Sequence, residues 1–501
     1  MRQRAAERVP VLLRRVTEWP LLRGATGRRL LAACLKTIER ALPTDAALDA
    51  VMRDVQPDVV LLTPLLHLGS PQIEVLRSAR ASGARTGLCV GSWDHLSSKS
   101  LIRVVPDRVF VWNETQKSEA VALHGVPADR VAVTGAQCYD QWFDRQPVRS
   151  REQFCARVGL PADRPLLLWV CSALFVGSPS EARFVRRWIE EVRASSDPQL
   201  RDASVLVRPH PARLEEWNDV DLSDLPNVAL YGSLPVDADS KEDYFESLYY
   251  SSVVIGLNTS AFLEAAIVGR PVHTIVLPEF HDNQEGTLHF HYLLTAGGGL
   301  LHVAPDFDAH RAQLAAALRG GDVETADRTA SFVRAFIRPH GLEQEATTTF
   351  VAAVEQLAGT PAPAPLHAPA WAAAARLGLA PVAVAVRTAV ARTDRPTDRT
   401  SLELQRARRK QEHRVTRDAA EQRLKAEREA ERRDRARQAA VARETEARTR
   451  QLAIERDERA KQQRKTLRER EKRQHERAKR RAAFLANIRR RLGLEVKQAP
   501  R

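Results

Sequence analysis

Two stretches decide the fold: Val205-Leu206-Val207-Arg208-Pro209-His210-Pro211 and Val253-Val254-Ile255-Gly256-Leu257-Asn258-Thr259-Ser260. Each is a short apolar run that stops in a polar cluster, and the second leads into a helical pattern through Glu264 and Val268. Short buried strands followed by polar loops mark an open α/β sheet, in which ligands bind outside the carboxyl ends of the strands. Both clusters are therefore expected at that edge. Asn258, Thr259 or Ser260 is expected as the N-cap of the following helix, turning its free N–H groups and positive dipole end toward an anion such as a diphosphate. Arg208 adds a cation. His210 adds a titratable donor whose backbone is restricted by Pro209 and Pro211. Glu264, about one turn into the helix, is placed to accept ribose hydroxyls. Caps and strand-end histidines also serve structure alone; two such clusters within one domain are what point to function.

Working outward, residues 58–63, 85–90, 108–112 and 131–134 read as strands, with helices over 71–81 and 114–124 between them. A polar, proline-bearing break at 145–149 separates this set from a second one. There the pattern predicts strands at 166–170, 205–207, 228–231, 253–256 and 272–277, and helices at 181–194, 241–249 and 261–268. Further helices are expected at 307–319, 322–337 and 342–358, the last crossing back onto the first domain. The expected fold class is α/β, with two Rossmann-like domains over 41–148 and 149–358. A basic helical lead over 1–40 precedes them, and a Pro/Ala-rich linker over 359–400 and a charged helix or coiled coil over 401–495 follow.

Arg208-Pro209-His210-Pro211, Asn258-Thr259-Ser260-Ala261 with Glu264, and Gly269-Arg270-Pro271-Val272 resemble a bacterial branch of the GT-B glycosyltransferase-like proteins. That branch is similar to CDP-glycerol glycerophosphotransferases and, more distantly, to capsule-polysaccharide transferases and UDP-N-acetylglucosamine 2-epimerases. Ser92-Trp93-Asp94-His95, Val111-Trp112-Asn113 with Gln116, Val133-Thr134-Gly135-Ala136-Gln137 and Gln284-Glu285-Gly286-Thr287-Leu288-His289-Phe290 extend the resemblance, which spans roughly residues 55–345. It implies a nucleotide-activated sugar or polyol as donor, a glycan or lipid-linked acceptor, and no cofactor or metal. Ser172, with Ser178 in the same loop, would approach the donor phosphates, and Gln284, Glu285 and Thr287 would lie by the donor. Trp93, Gln116 and Gln137 fall on the acceptor side. Asp94 or His95 is the expected base toward an acceptor hydroxyl, with Trp93 stacking on a sugar or polyol; the competing reading has Trp93 filling the domain seam and Asp94 capping a turn. Glu285 and His289 would share a helix face, too few ligands for a metal. The pattern Asp237-Ala238-Asp239 is discounted, because GT-B enzymes generally need no such motif.

The resemblance also implies an opening strand and glycine-bearing loop that nothing before Asp58 matches, so either the chain begins late or its first domain is reduced. Two alternatives to a transferase follow: a catalytically silent scaffold whose helical tail binds a partner or membrane, and an epimerase-like enzyme acting on the nucleotide sugar itself.

The charge is uneven. Residues 401–491 hold 32 Lys+Arg against 16 Asp+Glu, leaving 45 against 47 in the remainder. The basic character belongs to the tail, which argues against reading nucleic-acid binding from the whole chain. No aromatic stacking pattern supports such binding either. The tail lacks Gly and Pro, and acid–base pairs four apart, such as Glu429 with Arg433 and Asp457 with Lys461, each add about 0.2–0.5 kcal/mol to a solvated helix. Leu424, Val441, Leu452, Ile454 and Leu467 keep no heptad. The tail ends in Phe484, Leu485, Ile488 and Leu492 among arginines, a hook for an anionic membrane, an acidic partner or a short dimer contact.

Residues 1–40 carry ten Lys+Arg against three Asp+Glu. They offer a basic amphipathic face for a membrane or lipid-linked acceptor, but the expectation is a helix over 28–42 packed on the first domain. The Ala-rich stretch from Trp371 to Val390, interrupted by Gly378 and Pro381, is likewise expected to pack on the body. Five scattered cysteines without metal-like spacing fit reduced thiols, and no stretch reaches the roughly 18 apolar residues of a spanning helix. The expectation is a cytoplasmic protein, peripheral at the inner membrane face.

Overall fold

A computed structural model describes residues 15–66, 70–175, 177–320, 323–366, 368–393, 450–451 and 454–492. The chain divides into two compact units, Met1–Gly378 and Leu379–Arg501.

The first unit holds two wholly parallel sheets. Strands β1 (Val59–Leu62), β2 (Arg85–Cys89), β3 (Arg108–Val111) and β4 (Val131–Val133) lie in the order β1-β2-β3-β4. Strands β5 (Leu166–Val170), β6 (Ser204–Arg208), β7 (Val228–Leu230), β8 (Val253–Ile255), β9 (Val272–Ile275) and β10 (Leu301–Ala304) lie in the order β10-β9-β8-β5-β6-β7. The second order reverses between β5 and β8, and such a switch point opens a crevice beyond the strand ends. The first sheet runs in sequence without reversal. Among the described residues no strand precedes Val59.

Side-chain alternation explains why β5 is apolar throughout. Leu166, Leu168 and Val170 enter one core with Phe245, Phe262, Phe290 and Phe336, whereas Leu167, Trp169 and Cys171 enter another with Phe184, Trp188 and Val205. A parallel strand covered on both faces has no solvent side to mark with polar residues. The first core also takes Trp93, Trp112, Tyr139 and Trp142 from the amino-terminal half, so one apolar cluster runs through the seam between the sheets. Helix Ala346–Ala358 returns to the first sheet, where Phe350 meets Phe110 edge-on at 5.3 Å. Arg338 and Asp140 bond at 2.8 Å, and Asn113 Nδ2 donates to the Phe336 carbonyl at 2.7 Å.

Most expected elements are present within a residue or two. Strand β10 and helices Ala46–Val55 and Arg151–Val158 were not expected. Helix Ala372–Thr393 runs unbroken through Gly378 and Pro381. Helix Ala25–Ala41 corrects the packing expected of the lead, for it buries only Gly27 and Ala41. In the second unit, residues 454–491 are helical and the expected Asp457–Lys461 pair forms at 2.8 Å. The expected helix over 401–449 lies outside the described residues.

Candidate functional site

The loops after β5, β6 and β8 meet at the carboxyl edge of the second sheet. Gly256 ends β8, where an added Cβ would stand 2.7 Å from the Val170 carbonyl, so glycine is required for the strands to approach. Two residues beyond, the loops after β5 and β8 join at the switch point: Asn258 N donates to Ser172 Oγ at 3.1 Å. The Asn258 side chain reaches the Asn283 carbonyl at 2.6 Å, Thr287 Oγ1 at 3.3 Å and His289 Nε2 at 3.3 Å.

The floor beneath is a hydrogen-bonded lattice. Ser172 N donates to Glu181 at 2.7 Å, and Glu216 accepts from Ser180 Oγ at 3.2 Å and Glu181 N at 3.0 Å. Asn283 accepts from Phe175 N and donates to Ser178 Oγ, both at 2.8 Å. Buried Gln284 donates to the Leu257 and Ile275 carbonyls and to Thr274 Oγ1 at 3.0–3.1 Å. Thr287 Oγ1 donates back to the Gln284 carbonyl. Sequence reasoning missed Asn283, Glu181 and Glu216. Glu181 alone left a trace, as an acid in the first turn of a helix after a strand, which reads first as dipole compensation.

His210 stands at the end of β6, half-buried, and its Nδ1 accepts from Ala212 N at 3.1 Å. That bond assigns the proton of the neutral ring to Nε2. Burial, then the neighbouring Arg213 cation, lowers its pKa, so the ring is neutral at pH 7. Arg208 lies inside the protein instead of in the crevice. Its guanidinium bonds Ser247 Oγ at 2.9 Å and the Asp243 and Ser233 carbonyls, and lies 5.2 Å from the Tyr244 ring. Glu264 accepts from the Tyr244 hydroxyl, and burial raises its pKa to about 7. The helix after the Asn258–Ser260 turn is short, Ala261–Ile267; Ser260 occupies the N-cap without a side-chain cap bond, while Thr259 Oγ1 accepts from Ala261 N at 3.4 Å.

The carboxyl edge of the first sheet faces this site. Trp93 is buried in the seam, edge-on to His289 at 4.9 Å. Tyr292 donates to Glu119 of the first domain at 2.7 Å. Burial raises the Asp94 pKa less than Lys99 and the Ser98 and Ser92 hydroxyls lower it, and the carboxylate is held at about 2. Beside it, His95 is buried at the start of a short helix. Gln116 is consumed by structure, accepting from Trp112 N at 2.8 Å and donating to the Ser92 carbonyl at 3.1 Å. Gln137 sits in the turn Gln137–Tyr139 beyond β4.

One expectation about carboxylates is corrected, and the discounted Asp237-Ala238-Asp239 pattern has a structural role. Glu285 precedes helix Leu288–Thr295 and pairs with His281 at 3.2 Å, so it does not share a face with His289. Asp237 is the N-cap of helix Ala238–Tyr249, accepting from Ser240 N at 2.8 Å, while Asp239 pairs with Arg149 and Arg157. Among the described residues no group of three or more His, Cys, Asp or Glu side chains is arranged to hold a metal ion.

The buried acids and histidines impose a pH dependence on stability. Burial raises Glu181 to about 8 and Glu119 to about 7, alongside Glu264. A raised carboxyl pKa gives stability that is complete below the unfolded value and lost as pH climbs through the folded one. The stacked His273 and His302, 4.4 Å apart, and buried His310 are lowered by burial, the last two to about 4. Their contribution is present above 6.5 and lost toward 4. Above pH 6.5 only the carboxyl effect remains, so the Tm should fall from pH 6.5 to 8, and less steeply in Glu181→Gln. Calorimetric scans across that window check this; a rising Tm would contradict it.

The fold and site define a two-domain parallel α/β protein with a polar loop cluster at the switch point of the second sheet. Solved structures similar to this chain include UDP-GlcNAc 2-epimerase from Neisseria meningitidis bound to UDP-GlcNAc, at 15% identity and a TM-score of 0.42 over 62% of this chain and 80% of that one. A glycosyltransferase from Rickettsia africae matches at 11% identity and a TM-score of 0.41, over 65% and 82%. A variant of the wall teichoic acid polymerase TagF matches at 12% identity and a TM-score of 0.34, over 53% and 60%. No protein-family model and no curated protein sequence matches the chain.

Proposed function

We propose that this protein is a transferase that moves a sugar or phosphopolyol from a nucleotide-activated donor to a glycan or lipid-linked acceptor of the cell surface, working in the cytoplasm at the inner face of the membrane. One observation carries the reading: the loops after β5, β6 and β8 converge at the switch point of the second sheet, joined through Asn258 and Ser172. A nucleotide diphosphate fits such an edge.

In this reading Glu264 meets the ribose, and Ser172, the Asn258–Ser260 turn and Thr287 line the phosphates. Arg208, buried beneath, contributes positive potential without direct contact, and Gln284 and Glu285 shape the loop. The acceptor oxygen forms the new bond as the donor's bond to the nucleotide phosphate breaks. His210 Nε2–H donates to the phosphate oxygen on which charge develops. Asp94, held at about 2, is a weak base near neutrality. Of the two expected bases this leaves His95 to take the acceptor proton, with Trp93, Gln116 and Gln137 shaping the acceptor side.

Calorimetric titration of the full chain with CDP, UDP, GDP and CMP tests the donor site. One nucleotide should bind saturably, and Glu264→Ala should weaken it at least about tenfold, the scale of one lost charged hydrogen-bond acceptor. No binding of any nucleotide would refute the reading. The silent-scaffold alternative draws on the first sheet, whose unreversed order offers no second switch point. Turnover by the full chain would exclude it. Epimerised nucleotide sugar formed without acceptor would instead identify an epimerase-like enzyme.

A further inference from the structure

The amino-terminal segment over residues 15–42 presents an apolar surface that is exposed among the described residues. Trp19, Leu21, Leu30, Leu35, Ile38 and Leu42 are each between 38% and 84% exposed. Within helix Ala25–Ala41, Leu30, Cys34 and Ile38 recur every fourth residue and continue to Leu42, with Leu31 and Leu35 beside them, which places all of them on one side. Arg29, Lys36 and Arg40 follow at intervals of seven and four on the opposite side.

The helix is held by its carboxyl end. Arg77 donates to the Leu42 carbonyl at 2.6 Å, Arg376 donates to the Ala41 carbonyl, and Glu39 pairs with Arg103 at 3.4 Å. Gly27 lets the preceding turn fold tightly back, since an added Cβ would strike the Leu21 carbonyl, and this leaves Trp19 and Leu21 outside. These anchors fix the helix and leave its apolar side unused.

We infer that residues 15–42 form a docking surface for an anionic lipid bilayer, lying in the plane of the membrane interface. Across this segment six Lys+Arg face two Asp+Glu, and Glu39, one of the two, is already paired with Arg103. An apolar side, a cationic side and a tryptophan at the boundary are what an interfacial helix needs: burial of the first, attraction of the second to anionic headgroups, and an amphipathic ring between them. The inference uses none of the nucleotide-site residues and stands or falls independently of the transferase reading.

Exposed Cys34, in the middle of the apolar side, makes a direct test possible. The full chain carrying Cys138→Ser, which removes the other exposed thiol, is labelled at Cys34 with an environment-sensitive fluorophore. It is then mixed with vesicles of phosphatidylglycerol and phosphatidylcholine, or of phosphatidylcholine alone. The emission should rise and shift to the blue with anionic vesicles only, and lipid-borne quenchers should extinguish it. Leu30→Glu with Ile38→Glu should reduce the partition coefficient reported by the label at least about tenfold, given the loss of two apolar side chains from the interface. Circular dichroism and the Tm verify that this variant remains folded. Three results would overturn the inference: a label that stays in water while the protein sediments with vesicles, an equal response to both lipids, or a response to protein concentration without lipid.

Discussion

His210→Ala is expected to lower turnover by about 10²- to 10⁴-fold, the range for losing one positioned proton donor. The expectation follows from the proposed transferase reading and from one structural detail. Because Nδ1 is occupied by the Ala212 N–H, the neutral ring presents Nε2–H outward. His210→Gln retains a donor without a titrating ring, so part of the rate should return. The rate is measured with whichever nucleotide donor the titrations select. An unchanged rate in His210→Ala would remove this residue from the mechanism, while loss of folding, checked by Tm, would make the second variant decisive.

Glu246→Ala is expected to lower the unfolding free energy by about 3–5 kcal/mol, the cost of leaving a buried ion without its partner. Glu246 is fully buried on helix Ala238–Tyr249. It accepts from the backbone N–H groups of Val148 and Arg149 at 3.1 and 2.8 Å and from Arg149 Nε at 2.7 Å. Asp243 takes the other arm of Arg149 at 2.8 Å. Removing the carboxylate strands two backbone donors and half of a guanidinium in the connection between the two sheets. Glu246→Gln keeps an acceptor for the N–H groups and should cost less. Urea unfolding at constant m-value reads both. A loss below about 1 kcal/mol in Glu246→Ala, the size of an ordinary hydrogen bond, would show that the clamp does not hold the connection.

Several features lay beyond the sequence, each for a physical reason. Strand β10, Leu301-His302-Val303-Ala304, is a four-residue edge strand carrying a histidine, too short and mixed for its periodicity to register. Pro381 signals a helix stop, yet helix Ala372–Thr393 passes through it, since an interior proline can be absorbed as a local loss of one hydrogen bond. The packing expected of the lead failed because an amphipathic pattern specifies that a face will be covered without saying by what.

The sequence by itself determined the two parallel sheets, nearly every strand within a residue or two, and the two polar clusters at the strand ends. Those properties follow from local periodicity and from residues that stop strands and start helices, and both are written along the chain. Only the tertiary structure decided the strand order, and with it the switch point between β5 and β8. It also separated residues of similar chemistry. His210 keeps its Nε2–H toward the crevice, while Arg208, two residues earlier, is buried and taken up by Ser247 and Tyr244. Asp94 is tied to Lys99, whereas Glu119 meets Tyr292 across the seam. Of these contacts only Glu119 with Tyr292 crosses the domain seam; the others lie within one domain, but each depends on a folded geometry that periodicity does not specify, so the charge state and freedom of each group are set by the tertiary structure.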